Sequence, residues 1–136
     1  MAEFILTTPT EVAVGSAIPY NGTIESGCCN VRHKPGSGVV VIKGSGCCKR
    51  PNKYDVRFHA AVTGPTGAIQ LGIYLDGELL PETFMSINSG TATNVYSVDA
   101  TTIIPADCGC QRVSVRVITG DDLTVNTASL IIKKEA

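Results

Sequence analysis

The chain has 136 residues, of which only 17% are charged, and its net charge is -1. That length suits one domain with a single core, so we treat residues 1–136 as one unit in which residues 1–16 are an N-terminal arm or an extra strand. Scattered Lys and Arg provide no basic stripe for nucleic acid and no polybasic patch for a membrane, so both partners are excluded. The N-terminus lacks the basic segment and long apolar core of a secretory signal, which predicts folding where the chain is made.

Alternation of apolar and polar residues, punctuated by Gly, Pro, Asn and Asp, predicts eight main strands after a short leading strand at residues 4–6. The eight lie near residues 17–24, 38–43, 54–63, 68–75, 78–85, 94–104, 111–118 and 123–133. No segment carries the i, i+3, i+4 apolar spacing of an amphipathic helix.

The clearest pattern is YDVRFHAAVTGPTGAIQLGIYLDGELL, at residues 54–80. Its inward phase predicts the core residues Tyr54, Val56, Phe58, Val62, Ile69, Leu71, Ile73 and Leu75. Asp76-Gly77 follows at once and predicts a primed two-residue hairpin turn, because both residues tolerate positive φ. Near the C-terminus, the alternating valines of residues 113–117 and the apolar residues after the turn at 120–122 predict a second hairpin.

Eight antiparallel strands in a chain of this size predict an all-β sandwich of two packed sheets. An eight-stranded jelly roll is the leading choice because it manages sheet edges by folding the sheets together, and another Greek-key sandwich is the alternative. The mean hydropathy of +0.18 is high for a chain without a membrane-spanning run, so we expect apolar surface to be covered by copies of the same chain.

The segment YDVRFHAAVTGPTGAIQLGIYLDGELLPET, together with the closing ASLIIKKEA, resembles the tumour-necrosis-factor and complement-C1q type of jelly roll, especially its short bacterial and phage forms. The shared pattern is an aromatic-x-apolar-x-aromatic strand, a short loop, an alternating strand and an apolar-Asp-Gly turn. This resemblance implies a compact homotrimer used for structure or attachment. The complete chain, which starts MAEF and carries cysteines in its loops, also resembles small proteins encoded among the structural genes of phages that infect Firmicutes.

Cysteines form three groups in glycine-bearing loops: Cys28 with Cys29, Cys47 with Cys48, and Cys108 with Cys110. Adjacent cysteines cannot comfortably bridge each other, because their Cα atoms are only ~3.8 Å apart. Counting strands up and down places the loops after the second and sixth main strands at one end and the loop after the first at the other. We therefore predict disulfides between the 47/48 and 108/110 groups.

Two other states of these thiols stay open. One is a metal site in which His33 joins the cysteines as a ligand, although only Cys108-x-Cys110 approaches the usual spacing of zinc ligands. The other is reduced thiols without a role. A thiol-disulfide oxidoreductase is disfavoured, because no C-x-x-C opens a helix.

Residues of catalytic type have structural explanations. His59 lies on the polar phase of its strand, where it packs at an interface or faces solvent, and no serine or histidine stands in a hydrolase or metalloprotease motif. We place Asp99, Asp107, Asp121 and Asp122 at turns; the last three could bind calcium but supply few oxygens. The Gly-Ser-Gly segments at 36–38 and 44–46 are interpreted as turn glycines. We expect no catalytic residue and no cofactor.

These observations predict a non-enzymatic virion protein, made in the host cytoplasm, that decorates a phage capsid or forms part of a head or tail fibre as a homotrimer. One alternative is a spore-surface or appendage subunit cross-linked through its cysteines. Another is a carbohydrate-binding module. The chain has no Trp and only 5% aromatic residues, so the stacking platforms that such a module needs are scarce.

Overall fold

A computed structural model describes residues 2–26, 31–44, 52–64, 67–90, 94–106, 110–119 and 123–134. Twelve strands and one short 3₁₀ helix make up the fold: β1 (Ala2–Leu6), β2 (Thr10–Val12), β3 (Gly22–Ser26), β4 (Val31–His33), β5 (Val40–Lys43), β6 (Asn52–Thr63), β7 (Gly67–Leu75), β8 (Glu78–Leu79), the 3₁₀ helix (Pro81–Thr83), β9 (Met85–Ser89), β10 (Val95–Ala106), β11 (Cys110–Thr119) and β12 (Leu123–Lys134). Among the described residues, no helix is long and apolar enough to cross a membrane.

The strands form two antiparallel sheets. The first sheet has the order β10-β6-β12-β1-β3, and β2 also pairs with β12. The second sheet has the order β4-β5-β11-β7-β8, and β9 also pairs with β7. From β5 to β7 and again from β9 to β12, the chain passes to the other sheet at each connection. This arrangement confirms the predicted all-β sandwich and its jelly-roll topology.

The core lies between the two sheets, where the inward residues of each strand meet. Seven of the eight predicted core residues are buried, from Tyr54 to Ile73, and Leu75 is half-buried and packs against them. The N-terminal arm also contributes, because β1 lies between β12 and β3 and buries Phe4 and Leu6. Alternation alone therefore identified the inward face correctly.

The first predicted hairpin turn is confirmed, but the strand after it is shorter than predicted. Asp76 and Gly77 have φ of 51° and 87°, the positive values that a primed turn requires. The predicted strand at 78–85 is wrong, since β8 ends at Leu79 and the 3₁₀ helix follows. Pro81 has no N–H with which to continue the ladder. The side chain of Thr83 provides a hydrogen-bond partner for β7 instead, because its hydroxyl accepts a 3.0 Å hydrogen bond from the Ile73 amide.

The predicted second hairpin, between the last two strands, is wrong. β11 pairs with β5 and β7, whereas β12 pairs with β1, β2 and β6 in the other sheet. Val115 of β11 and Val125 of β12 are both fully buried, but they approach the core from opposite sides. Two strands with one apolar face each can bury those faces side by side or across a sandwich, and alternation does not distinguish the two. Residues 120–122 lie outside the described residues.

The start of the sandwich also differs from the prediction. Residues 17–20 form no strand: Ala17 makes an isolated bridge to Arg116, and β3 begins only at Gly22. The strands β2 and β4, three residues each, were not predicted. Runs of this length are too short to show a period of two, so only their pairing partners reveal them.

Two buried tyrosines have opposite hydrogen-bonding states. The Tyr54 hydroxyl donates a 2.6 Å hydrogen bond to the Lys43 carbonyl, which joins the two sheets. The Tyr20 hydroxyl is buried and has no hydrogen-bond partner among the described residues. Burial raises the pKa of both tyrosines, and it raises that of Tyr20 far beyond the usual range. A buried hydroxyl without a partner costs stability, whereas a bonded one contributes to it.

We therefore expect Tyr20→Phe to raise the free energy of unfolding at pH 7 by about 1 kcal/mol and Tyr54→Phe to lower it by about 1 kcal/mol. Tyrosines of the unfolded chain ionise near pH ~10, whereas the buried Tyr20 stays neutral at that pH. The contribution of Tyr20 to the free energy of unfolding is therefore constant below pH ~10 and falls above it. Tyr20→Phe should reduce this alkaline loss. Urea unfolding at pH 7 and across the alkaline range measures both effects, and a destabilised Tyr20→Phe variant would contradict them.

Candidate functional site

Strand β10 forms a long exposed edge of the first sheet. It has twelve residues and, within the described part of the chain, pairs only with β6. The unpaired side of an edge strand presents backbone N–H and C=O groups to solvent. Proteins normally keep such strands short, place charged side chains on them or cover them. Pro105 near its end has no N–H and blocks simple continuation of the ladder there.

Exposed apolar side chains concentrate along this strand. Val95 is 62% exposed and Ile103 is 54% exposed, both on the outer face of β10. Phe84, 45% exposed, lies near the middle of β10, where it lines a depression of about 200 Å³ with Val98 and Asp99. Among the described residues only one other large apolar side chain, Val14, is comparably exposed. We call Phe84, Val95 and Ile103, with the side of β10 that faces away from β6, the β10 edge surface.

These three residues were not predicted as functional, although the sequence contains a signal for two of them. Val95 and Ile103 fall on the outward phase of a strand whose inward phase is already filled by Val98 and Ile104. An apolar residue on the polar phase of a strand indicates cover by another surface. Phe84 carries no such signal, because it lies between the 3₁₀ helix and β9.

His59 lies on the outer face of the first sheet, opposite Asp99 of β10 on one side and Ser129 of β12 on the other. Asp99 is therefore in the middle of a strand, and its predicted place at a turn is wrong. No hydrogen bond joins His59 to Asp99 or Ser129, although the structure describes all three side chains, and the shallow depression around them measures about 270 Å³. The row is not preassembled as a catalytic triad, which would need hydrogen bonds from serine to histidine to aspartate.

Of the six cysteines only Cys110 falls within the described residues, and its free thiol is exposed. Cys28, Cys29, Cys47, Cys48 and Cys108 lie outside them, as do Asp107, Asp121 and Asp122. The disulfide, metal and calcium assignments therefore stay predictions. The described His, Cys, Asp and Glu side chains form no group of three or more that could hold a metal ion.

The strand ends that flank the three cysteine-bearing segments lie at one end of the sandwich. Cys110 pairs with Lys43 in the second sheet, and Ala106 pairs with Asn52 in the first. Asn52 also donates a 3.1 Å hydrogen bond to the Lys43 carbonyl, which connects the sheets there. Val31, the first residue after the 27–30 segment, pairs with Ile42 beside Lys43.

The up-and-down strand count that separated the 28/29 group from the other two is therefore wrong. The unpredicted strand β4 adds one reversal between β3 and β5, so Val31, the first described residue after the 27–30 segment, lies at the same end as Lys43 and Cys110. Pairing of the 47/48 group with the 108/110 group stays a prediction, now with the 28/29 group as a further candidate partner at that end.

His33, the candidate extra metal ligand, packs inside the sandwich edge. Its ring lies 4.7 Å from the Phe4 ring and 5.9 Å from the Tyr20 ring. Its Nε2 is 2.7 Å from the Ser37 carbonyl oxygen, while Nδ1 is buried without a hydrogen-bond partner among the described residues. The nearby Gly36 has a φ of +85°, which supports the interpretation of the 36–38 glycines as turn residues.

No protein-family model matches the sequence, and no curated protein matches it significantly. Solved structures do match over nearly the whole chain. The globular domain of zebrafish complement 1qA protein superposes with a TM-score of 0.65 at 12% identity, covering 96% of this chain and 94% of that one. The Eiger TNF of S. frugiperda gives 0.67 at 15% identity, covering 99% and 91%. Murine APRIL at pH 5.0 gives 0.60 at 8% identity, covering 95% and 97%.

At such low identities the likeness concerns the fold and not the activity. It agrees with the sheet order, the sheet-switching connections and the sequence resemblance of residues 54–83. The chain has the jelly-roll fold of the TNF and C1q type.

Proposed function

We propose that this chain is a non-enzymatic structural protein that assembles as a homotrimer through the β10 edge surface. The observation that carries this proposal is a twelve-residue edge strand that pairs only with β6 among the described strands and has Val95 and Ile103 exposed on it and Phe84 exposed near it. Covering that surface with another copy removes apolar area from water, at about 25 cal/mol for each Å² buried.

A closed ring explains how every copy is covered. The β10 edge surface lies on one side of the protomer, so a contact between it and a different surface of the next copy is heterologous. Heterologous contacts cover the β10 edge surface of every copy only when the copies close into a ring. Pro105 disfavours the alternative in which two β10 edges simply extend one sheet. Three copies is the number that the TNF and C1q resemblance implies.

The particle in which this trimer would serve is a phage virion, as a capsid decoration or a component of a head or tail fibre. The resemblance of the whole chain to small proteins from phage structural genes supports this assignment. Genes for capsid, portal or tail proteins should then neighbour its gene. Sporulation genes in that position would favour the spore surface instead.

A spore-surface or appendage subunit is the second candidate function, favoured by the common end of the cysteine-flanking strands. The cysteines that adjoin these strand ends in the sequence could meet those of the next subunit and cross-link it. A denaturing gel without reductant separates the candidates: covalent ladders that collapse on reduction support the appendage, and a single protomer band supports the virion trimer.

Oligomeric state tests the proposal directly. We expect light scattering to give three times the protomer mass of 14.2 kDa. Ile103→Asp should weaken each interface by about 2 kcal/mol or more, because it would bury an unpaired charge. The control is Val14→Asp, which places the same charge on the exposed apolar residue outside this surface. A monomeric wild-type protein, or dissociation by Val14→Asp alone, contradicts the proposal.

A further inference from the structure

The outer face of the second sheet, away from the β10 edge surface, contains a cavity of about 490 Å³. Its wall along β11 consists of Cys110, Arg112, Ser114 and Arg116, and the Asp76-Gly77 turn closes one side. Residues two apart on a strand point to the same face, so the two guanidinium groups flank Ser114. The volume falls within the range of small-molecule sites.

Arg116 is held in place by two neighbours. Its Nε donates a 3.2 Å hydrogen bond to the Ser114 hydroxyl, and its guanidinium carbon lies 5.5 Å from the centre of the Tyr74 ring. Ser114 is only 4% exposed, although it points outward, so it forms the floor of the cavity. An arginine with a restricted side chain loses less entropy when it binds a ligand, and its planar fork matches an oxyanion in two parallel hydrogen bonds.

The positive charge of this face is only partly neutralised. Asp76, the one described acid in the wall, offsets one of the two guanidinium charges, and its Oδ1 accepts a 2.8 Å hydrogen bond from the Arg112 amide. A neighbouring depression of about 400 Å³ shares Val39 with the cavity and adds Arg32 and Lys34. In the described part of the chain the one ion pair joins Arg57 to Asp55, in the first sheet.

We propose that this cavity binds the oxyanion group of a small acidic ligand, a carboxylate or a phosphate, between Arg112 and Arg116. Charge-assisted hydrogen bonds from guanidinium to such groups are about twice as strong as neutral ones. Arg32 and Lys34 raise the local concentration of anions around the entrance. This inference extends beyond the proposed trimer and does not depend on it, because the cavity lies within one protomer.

Nuclear magnetic resonance titration of the wild-type protein with D-glucuronate and, separately, with inorganic phosphate tests the site. Both titrations are run at constant ionic strength up to about 20 mM, a range that detects millimolar affinity. We expect amide shifts at Gly77, Arg112, Ser114 and Arg116 with at least one probe. D-glucose, which has the same kind of ring without the charge, should give none. Glucuronate alone identifies an organic acid site, and phosphate alone identifies a tetrahedral anion site.

Arg112→Gln and Arg116→Gln should each weaken binding at least about tenfold, because each removes one charged partner of the anion. The matched control is Arg57→Gln, which removes an exposed guanidinium from the opposite sheet and should leave the affinity unchanged. Absence of binding by both probes overturns the proposal. Shifts located elsewhere, or equal weakening by the Arg57 control, overturn it as well, and the wild-type shift map stands even if a variant fails to fold.

Discussion

Ile104→Ala should destabilise the protein by about 2–5 kcal/mol, the usual cost of deleting a large aliphatic side chain from a packed core. Ile104 is 1% exposed and belongs to the core between the sheets. Its loss leaves a cavity that β10 cannot close, because the backbone of that strand is paired along its whole length with β6. With a total stability of about 5–15 kcal/mol, such a loss is a large fraction.

Ile103→Ala provides a matched control, since it makes the same chemical change one residue earlier on the same strand. Ile103 points to the outside, and at high dilution its truncation should change stability by less than about 0.5 kcal/mol. Any larger effect should grow with protein concentration, because this side chain acts through association. Urea unfolding at two protein concentrations separates the variants, and equal, concentration-independent losses would contradict the assignment of the two faces.

Gly38→Ala should destabilise by about 3 kcal/mol, which is at the upper end of the usual cost of overpacking. A Cβ at position 38 would lie 2.6 Å from the Ala17 Cβ and 2.8 Å from the Ile18 carbonyl oxygen. Backbone cannot move aside as a side chain can, and here it is held by the hydrogen bond from the Ile18 amide to the Val115 carbonyl. The substitution would therefore push the 17–20 segment away from the second sheet.

Gly36→Ala is the comparison variant, because its added Cβ meets nothing within 4 Å but its φ of +85° strains an alanine. That strain costs about 1–2 kcal/mol, less than the clash at position 38. Adding Ala17→Gly to Gly38→Ala should restore only part of the loss, since the Ile18 oxygen remains in the way. Thermal or urea unfolding compares the variants, and complete rescue by Ala17→Gly would show that the backbone contact is unimportant.

The two proposed surfaces lie on different parts of the sandwich. The β10 edge surface lies along the β10 edge of the first sheet, with Phe84 of the connection before β9, and the anion cavity belongs to the outer face of the second sheet. Packed sheets are about 10 Å apart, and the core between them holds both in place. The two surfaces share no residue, so substitutions at Ile103 and at Arg116 should act independently, the first on association and the second on anion binding.

Local pattern by itself determined which residues face inward and where the clearest turn lies. The period-two alternation of β6 and β7 identified their core residues, and Asp76-Gly77 identified a turn that needs two positive φ values. The resemblance of residues 54–83 then indicated the type of jelly roll. These features depend on residues close together in the chain, so sequence alone carries them.

Only the tertiary structure decided which strands share a sheet and what their neighbourhood brings together. β11 and β12 have the alternation of a hairpin but occupy opposite sheets, and the three residues of β4 add a reversal that places Val31 at the same end as Lys43. Arg32 and Arg112 are 80 positions apart in the sequence, yet both lie on the outer face of the second sheet. They are close there because Val41 of β5 pairs with Arg32 on one side and with Arg112 on the other. Alternation predicts which face of its own strand a side chain occupies. Which strands pair depends on how the whole core is buried, and a local sequence pattern contains no information about that.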